Sequence, residues 1–163
     1  MRRPPGPRNS NRTRFPAGRR SLAHDLGDLR AEIPAFEDAT YLNFGASDPS
    51  PRRVVEASSR GSASSAVGTF ESLGVADVQA RIRRLAGRLA DSIPEERLLS
   101  PAGPESGLVT VDVDDPERTV ERLHEAGVVV RDLPNPAAVR ASVHGVTTAA
   151  DVDRLLDALA EEW

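Results

Sequence analysis

From residue 73 onward the apolar positions recur in patterns short enough to be read one element at a time. In "VADVQARIRRLAGRLADSI", Val78, Ile82, Leu85, Leu89 and Ile93 recur at spacings of four, three, four and four. That rhythm aligns them on one stripe of a helix, which Pro94 stops. "RLLS" predicts a brief strand, "PAGPESG" a turn, and "LVTVDV" alternates with the period of two of a second strand. Asp115 then caps a helix with Pro116 at its first position, Val120 and Leu123 turned inward and Gly127 as its C-terminal stop. "VVVRDL" and "VRASV" predict two further strands joined by "NPAA". In the last helix Thr148 and Asp151 form a capping box ahead of an apolar stripe of Val152, Leu155, Leu156 and Leu159. The order of elements predicts an α+β fold, a small mostly antiparallel sheet of three or four strands with helices on one face.

Helices on one face leave the other uncovered. In "VRASVH" the residues Val139, Ala141 and Val143 share the apolar side, while Arg140, Ser142 and His144 share the opposite side with Asp112 from the preceding strand. This predicts an open polar face that meets water or a ligand.

Upstream the pattern is weaker. A short helical piece in "DLRAEI" and a hydrophobic "TYLNF" lead to a Gly/Ser/Asp/Pro turn. A helix is expected from Pro51, with Ser50 as N-cap and Val54 and Val55 on one side. "SSRGSASSAVGT" offers no periodic apolar face. The expected organisation is a disordered Arg/Pro-rich head at residues 1–20, an N-terminal strap at 21–57, a linker or deletion seam at 58–69, and a small α+β domain at 70–163.

Composition narrows the chemistry. All 21 basic residues are arginine, and cysteine is absent. Disulfides, thiolate nucleophiles and cysteine-based zinc sites are therefore excluded for this chain, and no side-chain amine exists to form an imine with an aldehyde. Seven arginines and no acid fall in residues 1–20, leaving 14 arginines against 25 acids in the rest. With Phe15 as its only aromatic, the head reads as an extension rather than a polyanion-binding arm, so nucleic acid is not expected as a partner. No apolar run is long enough to span a bilayer, and "RRSL" runs into a stretch too polar for an export signal. A cytoplasmic protein is expected.

His24, His124 and His144 are too scattered to predict a metal site. Ser142 and His144 are offset too far for a nucleophile and base, and "VDVDDPE" lacks the glycine and distal glutamate of a calcium loop.

The stretch "PESGLVTVDVDDPERTVERLHEAGVVVRDLPNPAAVRASVHGVTTAADVDRLLDAL" resembles the small C-terminal domain of class V aminotransferases, the pyridoxal-phosphate (PLP) dependent group that includes cysteine desulfurases. "AEIPAFEDATYLNFGASDPSPRRVVEA" resembles the N-terminal segment of the same family, and "LGVADVQARIRRLAGRL" the helix between. The resemblance implies that Arg140 grips a substrate α-carboxylate and that Asn43, Gly45 and Ala46 line the substrate side. It also implies a large cofactor domain between the two parts, with a Schiff-base lysine and a phosphate-cradling loop. Here "VVEA" passes to "AVGTFESLGV" across eight mostly small residues, so that domain is missing.

No cofactor is therefore expected for this chain, although the family it resembles uses PLP. The expectation is an internally truncated relative without transferase or desulfurase activity alone. The alternative is a binding or regulatory module that docks on a full-length aminotransferase. A third reading, noncovalent PLP use or a lysine supplied by another chain, ranks last. A full-length relative or a second copy would be the partner.

Overall fold

The computed structural model describes residues 21–44, 49–52, 55 and 74–162. The head at 1–20, Val54 and the seam at 58–69 lie outside them. Three helices open the described chain: α1 (Leu22–Ala31), α2 (Ala35–Asp38) and, after strand β1 (Thr40–Tyr41), α3 (Val75–Asp91). There follow β2 (Leu108–Val111), α4 (Pro116–Glu125), β3 (Val128–Val129), β4 (Arg131–Pro134), β5 (Ala137–Ser142) and α5 (Ala149–Leu159). Of the helix expected from Pro51, Arg52 and Val55 are the described helical residues.

Local chemistry sets the helix ends as the sequence predicts. The Asp115 carboxylate accepts from the Arg118 amide at 3.2 Å, Pro116 follows, and Gly127 leaves α4 at a φ of +75° that a side chain would resist. At α5, Thr148 Oγ1 accepts from the Asp151 amide while the Asp151 carboxylate accepts from the Thr148 amide, a complete capping box. None of the described helices is long and apolar enough to cross a membrane.

The central sheet is antiparallel with strand order β2-β5-β4, and β4 and β5 form a hairpin closed by Asn135 and Pro136. The "RLLS" strand is reduced to a bridge from Leu98 to Val111, supported by the Leu99 amide donating to the Thr110 carbonyl at 3.0 Å. The expected single strand "VVVRDL" is two strands. Val128 and Val129 pair in parallel with Thr40 and Tyr41, whereas Arg131–Pro134 pairs with β5. The N-terminal segment has taken the backbone groups of the first half, so one stretch of chain serves two sheets.

Helices α3, α4 and α5 cover one face of the central sheet. Val109, Val111, Val139 and Ala141 meet Leu85 and Leu89 of α3, Leu123 of α4, and Val152, Leu155 and Leu159 of α5 in one buried cluster. Leu42, just after β1, is fully buried in the same core. A second cluster joins Leu26, Leu29 and Ile33 to Val146. The N-terminal segment is thus tied to the C-terminal half by backbone pairing and by apolar burial.

Two arginines add polar ties. Arg30 reaches the Asp151 carboxylate with two nitrogens, each at 2.8 Å, and the Val146 carbonyl at 3.1 Å, with its guanidinium 3.8 Å above the Phe36 ring. Arg81 of α3 donates to the carbonyls of Gly145 and Thr147 at 3.0 and 2.7 Å. Burial, with the Arg84 charge beside it, holds the Arg81 pKa below its ordinary value. Between them the two side chains hold the turn from β5 into α5, which positions the end of β5.

Candidate carboxylate-binding site

Strand β5 carries the residues that the alternation singled out, and their environments differ. Ser142 is buried, with 3% of its surface exposed. The expectation of an open face at Arg140, Ser142 and His144 is therefore corrected at the Ser142 end. The Ser142 amide donates to the Leu42 carbonyl at 2.7 Å, and Asn43 forms a parallel bridge to Ser142, so residues 42–44 close over the strand end. His144 lies past the strand, its amide donating to Thr147 Oγ1 at 2.9 Å and its ring stacked on Phe44 at 4.5 Å. Asp112 is half-buried and faces Arg97 at 3.4 Å. The stronger partner of Arg97 is Asp114, whose hydrogen bond and charge raise the arginine's pKa.

Arg140 is half-buried and stands apart. Among the described residues five arginines are half-buried: Arg30, Arg81, Arg97, Arg122 and Arg140. The first four all donate to carboxylates or carbonyls. Arg140 has no such partner among the described residues, and its Nε is sealed from solvent without an acceptor. Asn43 Oδ1 and Ser142 Oγ are likewise buried and unpartnered. Leaving a buried polar group unsatisfied costs about 1–3 kcal/mol, and native chains rarely collect such groups in one place. Ser142 sits two residues from Arg140 on the same side of β5, and Asn43 bridges to Ser142. The part of the Arg140 guanidinium that remains exposed could take a carboxylate, its planar fork being suited to a two-oxygen acceptor.

Gly45 and Ala46 lie outside the described residues. His24 lies 3.7 Å from Asp28 on α1, and His124 is exposed on α4. Among the described residues no three histidine, aspartate or glutamate side chains gather as metal ligands would.

Sequence reasoning missed Arg131. The β4–β5 register places Arg131 directly opposite Arg140, with Thr110 of β2 on the other flank. The signal was present: with Asn135 and Pro136 as the two-residue turn, counting outward pairs residue 134 with 137 and 131 with 140.

The residues present do not fit PLP. The chain has no lysine to form the imine. A phosphate also favours a bare helix N-terminus, whereas the two described strand-to-helix turns end in Asp115 and Asp151 carboxylates that already accept from those amides.

No protein-family model matches the sequence, and no curated protein matches it. Solved structures do. The chain is similar to the cystine C–S lyase C-DES in two structures. One holds glycine covalently linked to the PLP cofactor (27% identity, TM-score 0.45, 53% of this chain and 23% of that one). The other holds cysteine persulfide (24% identity, TM-score 0.47, 58% and 28%). It is also similar to the cysteine desulfurase CsdA from Escherichia coli (23% identity, TM-score 0.46, 52% and 25%). A further similar structure, from Burkholderia pseudomallei, is provisionally described as an aminotransferase (32% identity, TM-score 0.39, 57% and 27%). The chain spans about a quarter of the length of each structure it matches.

Proposed function

We propose that this chain is a class V aminotransferase-like strap and small domain that binds carboxylates at Arg140 and does not by itself carry out PLP chemistry. The observation that carries the reading is the half-buried Arg140 guanidinium, with no partner among the described residues. A protein this rich in acids could neutralise that cation internally, as it does for its other half-buried arginines. An open grip is what a ligand site requires. The family resemblance of the quoted motifs assigns the same residue to a substrate carboxylate, and the absent lysine removes the group that would anchor the aldehyde.

Titration of the purified chain with acetate, followed by the arginine Nε–H signals, tests the binding. The Arg140 signal should move and the movement should be lost in Arg140→Gln. Incubation with PLP and borohydride tests the chemistry: no adduct is expected except at the N-terminal amine. An adduct at a side chain, or turnover of an amino acid by the isolated chain with PLP, would refute the second half.

A second reading is a module that docks on a full-length relative through this side of the sheet. It is favoured by the exposure of Leu99 and Leu108, which flank Thr110. A stable complex between this chain and a lysine-bearing class V aminotransferase on gel filtration, lost on Leu108→Glu, would support it.

A further inference from the structure

We infer that the site takes a small dicarboxylate rather than a lone carboxylate, with Arg131 as the second grip; the inference rests on the reading of Arg140 as a carboxylate-binding residue. Residues directly opposite on antiparallel strands project from the same face with their Cβ atoms about 4.5–5.5 Å apart. Arg131 and Arg140 occupy such a pair. Like charges so placed repel, and an acid on the next strand would relieve the repulsion. Here the flanking residue on β2 is Thr110 and the next residue along that strand face is Asp112, which is turned to Arg97. Neither guanidinium has a hydrogen bond or ion pair among the described residues; of the other exposed arginines, Arg52 pairs with Glu37 and Arg88 with Asp153, while Arg84, Arg118 and Arg154 show no ion pair among the described residues.

Residues 21–163 contain 25 acids, none of which is an ion-pair partner of Arg131 or Arg140 among the described residues. Two adjacent cations call for two negative groups. Two guanidiniums rooted on neighbouring strands are two separate grips, which suits two carboxylates on a short spacer. The half-buried Arg140 takes the first carboxylate, and the exposed Arg131 takes the second from the solvent side.

Succinate, acetate and inorganic phosphate, titrated into the full chain at constant low ionic strength, test this. Succinate should bind about tenfold or more tightly than acetate, since it gains a second charge-assisted pair. Arg131→Gln should abolish that preference, succinate then binding no more tightly than acetate. Arg140→Gln should remove binding of both acids. If that variant fails to fold, the Arg140 Nε–H signal of the unaltered chain serves instead and must move with both ligands. Equal affinity for succinate and acetate, or a preference that survives Arg131→Gln, overturns the dicarboxylate while leaving the Arg140 reading intact. Phosphate binding more tightly than succinate also overturns it. Binding of neither acid overturns both.

Discussion

Replacing Arg30 by methionine tests how far the N-terminal segment is part of this fold. The change keeps an unbranched, largely apolar side chain beneath which Phe36 can still pack, and deletes the guanidinium. A hydrogen bond and an ion-pair contact to Asp151 are lost, with a hydrogen bond to the Val146 carbonyl. The Asp151 side chain is only 7% exposed and that of Arg30 22%, so the pair sits at the buried end of the range. Breaking a buried ion pair from one side costs about 3–5 kcal/mol because the remaining charge is stranded. Asp151 keeps the Thr148 amide and hydroxyl, each at 2.8 Å, and a fifth of Arg30 already meets water, which lowers the expectation to about 2–4 kcal/mol.

Urea unfolding of the full chain measures it, as a fall in midpoint at unchanged slope. Arg88→Met is the internal control. Its partner Asp153 is about half exposed and so is Arg88, so that loss should stay within about 1 kcal/mol. A double-mutant cycle of Arg30→Met with Asp151→Asn should give a coupling of about 1 kcal/mol or more. If Arg30→Met unfolds at the same urea concentration as Arg88→Met, the segment is not latched through this pair and the reasoning fails.

Leu42→Ala should destabilise by about 2–5 kcal/mol in the same assay, because Leu42 is fully buried in the main core although it follows the two-residue strand β1. Gly107→Ala and Gly87→Ala should move stability in opposite directions. A methyl at Gly107 would drive into the Val143 carbonyl oxygen, and the expected loss is about 1–3 kcal/mol. One at Gly87, mid-helix in α3 with open space around it, should stabilise by about 0.5–1 kcal/mol.

The helices and their caps were legible because their determinants are local. The Thr148–Asp151 box, the Asp115–Pro116 start and the stripe from Val78 to Leu89 each lie within a few turns of chain. What the sequence concealed is long-range pairing. Nothing in "VVVRDL" says that its first two residues bond to Thr40 and Tyr41 rather than to β5, because the pairing partner lies far away in the chain. Asp151 was readable as a cap but not as the acceptor for Arg30, a contact that spans 121 residues. For the site, Arg140 was legible from alternation and from family likeness. Arg131 required the hairpin register, and the closure over Ser142 required knowing where Asn43 goes.

That closure bears on what the site can hold. Along the polar side of β5, Ala138 and Ser142 are both buried and Arg140 between them is not. The opening is therefore one residue long in the strand direction and is bounded above by the Asn43 bridge. It extends only sideways, toward Thr110 on β2 and Arg131 on β4. An extended peptide laid along β5 would need an open row of alternate residues, and the row is closed on both sides of Arg140. A small acid reaching from Arg140 across to Arg131 needs nothing that the fold does not leave open. The same strap that hides Ser142 thus limits the proposed site to a spot of small size beside Arg140.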